Sequence, residues 1–255
     1  QTDFRQGRRC ILISWFSFKG KRCDAQDVFC ILEKLPLDLR SEKITQVIDM
    51  PCGEPIIYEP GGYRQQTITL NIGIKDITPE HLSNINNWLS GSGKLIFSND
   101  PDKHYLAIAN NAMTGNRLIE RFGKIPVQFL LMPFKRENES DWVEIPLNNH
   151  VGWINDATAA TGGTAPSEPT IKMYGNGDLG FWHVASGTTI TVHNVSEYCI
   201  IDVPSHRVFD KNNNVILGQT EGNIEAVINP PRDGCQTNFR DTVTKVEVKY
   251  NRRWL

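Results

Sequence analysis

Within Tyr63–Lys75 the stretch from Thr67 to Ile74 alternates strictly: Ile68, Leu70, Ile72 and Ile74 are apolar, while Thr67, Thr69, Asn71 and Gly73 are small or polar. A period of two fits a strand with one face in a core and the other in solvent, and fits no helix. Turn formers recur around it. The 20 glycines, 14 prolines and 21 asparagines make up about a fifth of the 255 residues, so the chain has many short elements to connect. A single helix is predicted. Thr78 suits an N-cap, Pro79 the first helical position, and Leu82, Ile85, Trp88 and Leu89 one apolar face. Gly91 reads as its left-handed C-cap.

Further strands are predicted at Ile11–Phe18, Val28–Leu35 and Lys43–Met50. Leu95–Phe97 and Tyr105–Ala109 form one hairpin, and Arg117–Phe122 with Ile125–Phe134 another around Gly123-Lys124. The segment Pro51–Gly62 holds three prolines and three glycines in twelve residues, with Ile56, Ile57 and Tyr58 in its middle. It reads as a long loop with an apolar tip that must pack on something. After Phe134 the character changes. Lys135–Asp141 is charged and Asp156–Pro169 is rich in Ala, Thr, Gly, Ser and Pro, so the organisation is read as a domain over 1–134, a linker region over 135–169 and a domain over 170–255. In the last, short strands recur at Thr170–Tyr174, Thr188–His193, Tyr198–Val203, Arg207–Phe209, Asn214–Leu217 and Thr242–Tyr250, which predicts an all-β sandwich.

Composition narrows the function. Lys and Arg number 27 and Asp and Glu 29, a net charge of −2 that offers no basic stripe to nucleic acid or to an anionic membrane. No apolar run reaches the roughly 20 residues of a spanning helix, and the Cys10–Phe18 run lacks a cleavage site. The six cysteines, Cys10, Cys23, Cys30, Cys52, Cys199 and Cys235, form no C-x-x-C pair and read as reduced thiols of a cytosolic product.

Two motifs imitate binding sites. Gly175-Asn176-Gly177-Asp178-Leu179-Gly180 spells G-x-G-x-x-G, but no helix pattern follows to hold a pyrophosphate, so it reads as a Gly-rich hairpin. Asp210, Asn212, Asn214 and Glu221 fall at calcium-loop positions 1, 3, 5 and 12, but Val215 stands where the loop needs Gly. The six histidines are scattered and no nucleophile elbow is present, so no catalytic residue, cofactor site or metal site is assigned. Trp182 and His183, beside the Gly-rich turn, carry two readings: a strand-start core tryptophan, or a platform that stacks on a sugar ring.

In order along the chain, these segments resemble the distal tail (Dit) protein family of siphophages. Phe16-Ser17-Phe18-Lys19-Gly20 is similar to the family's opening strand and turn, and Pro60-Gly61-Gly62-Tyr63 to the end of its P-G-R-x-G loop, with Cys52-Gly53-Glu54 in place of the usual Gly-Arg. Ile125-Pro126-Val127-Gln128-Phe129 followed by Pro133-Phe134-Lys135 resembles the strand that closes its N-terminal half. Pro169-Thr170-Ile171, Tyr198–Asp202 and Val243–Trp254 resemble its C-terminal strands, while Asn229–Cys235 departs from the family's turn.

The resemblance implies a mainly β chain: a tail-tube-like β-barrel or sandwich with one helix, then a galectin-like β-sandwich. It implies a structural, non-enzymatic hub of the virion tail tip, assembled in the host bacterial cytoplasm. The chain would form a homohexameric ring and meet the major tail-tube protein, the tape-measure protein, the tail-associated lysin or tip hub protein, and a receptor-binding protein. Ile56, Ile57, Tyr58 and Tyr63 are the candidate subunit or tube contact. The alternative is a lectin-like adhesion protein for cell-wall carbohydrate, using Trp182 and His183.

Overall fold

The computed structural model describes residues 14–36, 40–59, 61–75, 77–110, 116–119, 122–154, 163–230 and 235–255. The part of the first expected strand before Ser14 therefore lies outside the described residues. The chain divides into two compact units, Gln1–Pro133 and Phe134–Leu255, each with its own core.

In the first unit the elements run β1 (Phe16–Phe18), β2 (Lys21–Arg22), β3 (Cys30–Leu32), β4 (Gln46–Ile48), β5 (Ile56–Tyr58), β6 (Gln66–Lys75), α1 (Pro79–Trp88), β7 (Gly91–Phe97), β8 (Lys103–Ala109), β9 (Asn116–Ile119) and β10 (Phe122–Glu137). One sheet runs in the order β2-β1-β7-β8-β10-β6-β3, with β9 beside β10. The Cys30 amide donates to the Cys23 carbonyl at 2.8 Å, which brings the two ends of that path together. The alternation in β6 does what it predicts: Ile68, Leu70, Ile72 and Ile74 are buried, and their partner strand β10 buries Ile125, Val127, Phe129 and Leu131.

Helix α1 begins where the sequence predicts. The Thr78 hydroxyl accepts the His81 amide at 3.1 Å, and Pro79 takes the first turn. Its apolar face, Ile85, Trp88 and Leu89, enters the core; Trp88 stacks on Phe16 at 5.4 Å and donates its indole N–H to the Phe18 carbonyl at 2.8 Å. The C-cap is Leu89, not Gly91, because the last helical bond runs from the Leu89 amide to Ile85. Gly91, at φ 71°, turns the chain directly into β7.

The second unit holds β11 (Val143–Ile145), β12 (Val151–Trp153), β13 (Thr170–Gly175), β14 (Gly177–His183), β15 (Thr188–Val195), β16 (Tyr198–Asp202), β17 (Arg207–Asp210), β18 (Thr220–Glu221), β19 (Gln236–Phe239), β20 (Val243–Lys249) and β21 (Arg253–Trp254). Two five-stranded antiparallel sheets, β11-β20-β13-β16-β17 and β12-β19-β14-β15-β18, share one apolar core, a β-sandwich. The end of β10 pairs with β21 through Lys135 and Arg136.

Three expectations change here. Much of the expected linker is sandwich: β11 pairs with β20 and β12 with β19, and Ala165 and Ser167 are buried and bridge to Arg253 and Asn229. Small polar residues signal a connector only if their backbone stays free, and here the backbone is paired. Residues 155–162 of that segment lie outside the described residues. The Gly-rich hairpin is a corner between the two sheets, since β13 lies in one and β14 in the other. Its glycines answer close backbone approach: a Cβ on Gly175 would lie 2.2 Å from the Thr242 carbonyl oxygen, at φ 154°. Finally, Asn214–Leu217 is not a strand. The Asp210 carboxylate accepts from the Asn212 and Asn214 amides and from the Asn214 side chain at 2.7–3.0 Å, which makes the calcium-like string a polar turn. Those donors hold the Asp210 carboxyl below its usual pKa.

Candidate functional site

The segment Pro51–Gly62 is not a loop resting on the barrel. Gln46, Val47 and Ile48 pair antiparallel with Tyr58, Ile57 and Ile56, so β4 and β5 form a two-stranded ribbon of their own. The prolines fall in the connecting turn, at Pro51 and Pro55, where they cost no ladder bond. The ribbon extends downward. Ile44 donates to Gly62 at 3.1 Å, Lys43 bridges Tyr63, and Arg64 donates to Glu42 at 2.8 Å. Gly61 and Gly62, at φ 83° and 93°, occupy the left-handed region that a side chain disfavours, and Lys43 pairs with Glu59 at the base.

Every residue from Thr45 to Glu59 is exposed. One face of the ribbon carries the Val47–Ile57 pair and the other Ile48–Ile56 and Tyr58, all between 48% and 68% exposed. A lone two-stranded ribbon is marginal in water, and six large apolar side chains uncovered on it, Met50 included, mark an interaction surface. Of the candidate contact residues, the structure brings Ile56, Ile57 and Tyr58 together on this arm. Tyr63 is half-buried at its base. Val47, Ile48 and Met50 belong to the same surface. The sequence signal for them is the symmetry of two short apolar runs about Pro51-Cys52-Gly53.

The Trp182–His183 platform separates. Adjacent residues of β14 point to opposite faces; Trp182 is 44% exposed and His183 is fully buried. The His183 ring meets Ser186 Oγ at 2.8 Å, Asn229 Oδ1 at 3.2 Å and Cys235 Sγ at 3.1 Å. A histidine, a cysteine and an asparagine could suggest nucleophilic catalysis. Burial lowers the imidazole pKa and raises the Cys235 thiol pKa, so both shifts favour the neutral forms over an imidazolium–thiolate pair. A second cluster lies on the β13 and β20 face. Lys172 Nζ stands 4.2 Å from the Tyr198 ring centroid, the Tyr174 hydroxyl donates to Glu247 at 2.8 Å, and Lys245 bridges Glu144 and Glu247 at 3.0 and 2.8 Å. Its charges are paired with one another. Among the described residues no group of three or more His, Cys, Asp or Glu could hold a metal ion, and no helix is long and apolar enough to cross a membrane.

No protein-family model and no curated protein matches the sequence. In fold, the chain is similar to the solved structure of the Dit protein of phage SPP1, described as a paradigm of the hub adsorption apparatus in phages infecting Gram-positive bacteria. It matches with a TM-score of 0.71 at 11% identity, over 95% of this chain and all of that one. The chain has the fold of a phage Dit protein. The mainly β architecture with one N-terminal helix and a sandwich in the second unit is thereby the Dit fold. At this identity the match carries the fold, and the exposed β4–β5 arm is what the chain itself adds toward function.

Proposed function

We propose that this chain is a structural hub subunit of a siphophage tail tip, which forms a hexameric ring joining the tail tube to the adsorption apparatus. The observation that carries this reading is the uncovered apolar arm on a chain with a Dit fold. A monomer leaves that surface in water, and a heterologous contact that closes on itself covers it in every copy. The tail-tube protein would sit on one side of the ring. The tape-measure protein, the tail-associated lysin and any receptor-binding protein are the further partners that the Dit resemblance implies, at the virion tail tip after assembly in the host cytoplasm. In this reading the role is architectural and no residue is asked to perform chemistry.

The test is direct visualisation of the join. Gold-labelled protein is mixed with tail tubes from the same particle and viewed by negative-stain electron microscopy. Label capping one end of each tube is expected. Label absent from tube ends, at concentrations well above the micromolar range, contradicts the reading.

A further inference from the structure

Trp182 loses His183 as a companion and gains another across the sheet. Gly152 of β12 faces the sandwich core, where a Cβ would press on Ile145, Leu147 and Phe239, so its neighbour Trp153 points outward and is 57% exposed. Strand β19 runs between β12 and β14. Val151, Asn238 and Trp182 stand in one row across the three strands, and Trp153 is two residues from Val151, so both indoles lie on the outer face. Trp153 stands opposite Gln236 and Trp182 opposite Asn238. The Gln236 side-chain amide donates to Asn238 Oδ1 at 3.1 Å. The four side chains form a diagonal band of indole, amide, amide and indole.

We propose that this band binds an uncharged polysaccharide, with the two indoles under different sugar rings of one chain and the amide pair between them. The inference stands apart from the ring reading. Three observations select this ligand. Chemistry is the first. A pyranose presents a C–H face that an indole can cover and hydroxyls at its edge. With their mutual bond made, Gln236 keeps a carbonyl oxygen as acceptor and Asn238 keeps its amide donors, and neither side chain has another partner among the described residues. A hydroxyl both donates and accepts, so it suits such a pair. Spacing is the second. Two strands across and two residues along put the tryptophan Cα atoms on the order of 12 Å apart, which a chain of linked pyranoses spans and a single ring does not. Charge is the third. The band carries no charged side chain. Just beyond Asn238, the Arg240 guanidinium lies against Gly180 and donates to Thr191 Oγ1 at 3.0 Å. A nucleic acid also stacks on aromatic rings, but it needs cations for its phosphates. A protein partner favours a continuous apolar patch, and here the amides divide the two indoles.

The test is titration of the full chain, followed by isothermal calorimetry and tryptophan fluorescence. The probes are cellohexaose, maltohexaose, chitohexaose and mannohexaose, the corresponding monosaccharides, and heparin as the charged control. At least one hexaose is expected to bind, and more tightly than its monosaccharide. Trp153→Ala and Trp182→Ala should each weaken that binding on the order of tenfold, with circular dichroism and melting unchanged because both side chains are exposed. Gln236→Ala with Asn238→Ala should weaken it while both indoles remain. Trp142→Ala, at an exposed tryptophan just before β11 of the other sheet, should leave it unchanged. Four results would overturn the assignment: no hexaose binds; binding persists in both tryptophan variants; heparin alone binds; or the tryptophan variants lose self-assembly or tube capping without any effect on glycan, which makes the face a protein contact. None of the glycan results bears on the ring, so the two readings fail separately.

Discussion

Removal of the Trp88 indole tests the packing of the first unit most sharply. Trp88 is 7% exposed, stacks on Phe16 at 5.4 Å with an interplanar angle of 19°, and donates to the Phe18 carbonyl at 2.8 Å. It thus ties α1 to β1 through both the ring and its polar atom. Trp88→Ala loses the buried ring and opens a cavity, which costs about 3–5 kcal/mol. Trp88→Phe keeps an aromatic partner for Phe16 and loses the N–H donor, and should cost about 0.5–1.5 kcal/mol for that bond plus a smaller packing loss. At about 3–5 °C per kcal/mol for a unit of this size, Trp88→Ala should lower the melting temperature of the first unit by about 9–25 °C. Differential scanning calorimetry reads the shift, and hydrogen exchange on the peptides covering Phe16–Phe18 and Pro79–Trp88 places it. A near-neutral shift in Trp88→Ala would refute the reasoning, because both the cavity and the hydrogen bond would then be without effect, and equal losses in the two variants would refute the packing part of it, because removing the ring would then add nothing to the loss of the N–H donor.

Other consequences are smaller. His183 is buried with its pKa held below the ordinary 6.5, so the unfolded chain takes up a proton that the native ring resists; stability should fall as pH drops below about 6.5. His193 has the opposite sign, raised by Asp178, so its contribution is present at low pH and lost as pH rises through its folded value. The difference between wild type and His183→Gln in urea titrations from pH 7.5 to 5 isolates the first effect, and an unchanged pH slope in the variant would count against it. Gly175→Ala should destabilise the sandwich by more than about 1 kcal/mol, since its Cβ would press on the Thr242 carbonyl oxygen at a φ that favours glycine; an unshifted melting curve would exclude the corner geometry. The described cysteines are free, so reductant should leave melting unchanged, and native alkylation mapped by mass should mark Cys52 ahead of buried Cys23, Cys30, Cys199 and Cys235.

Where side-chain pattern alone decides structure, the sequence was a good guide. The β6 alternation, the Thr78–Pro79 helix start and the short strand at Thr170–Tyr174 are local signals, and the structure agrees with them. What escaped depends on long-range backbone pairing. Nothing local in Val143–Ile145 or Val151–Trp153 distinguishes a connector from an edge strand until β20 and β19 are beside them. The Gly175–Gly180 string carries Gly175 for a corner whose crowding comes from Thr242, remote in sequence. The arm was half legible. The apolar tip Ile56-Ile57-Tyr58 is visible, but its pairing with Gln46–Ile48 is hidden by Pro51 and Pro55, which lie in the turn and not in the strands. Trp182 and His183 looked like one site because they are neighbours, and strand alternation sends them apart.

The central claim is that copies of this chain close into a ring, and mass in solution tests it most directly. Native mass spectrometry, with light scattering across a wide concentration range, should find species of six chains or of twelve, with intermediates scarce, because a closed ring satisfies every arm and an open one strands two surfaces. A protein that remains monomeric at the highest concentration, alone and with its tail-tube partner present, would contradict the account.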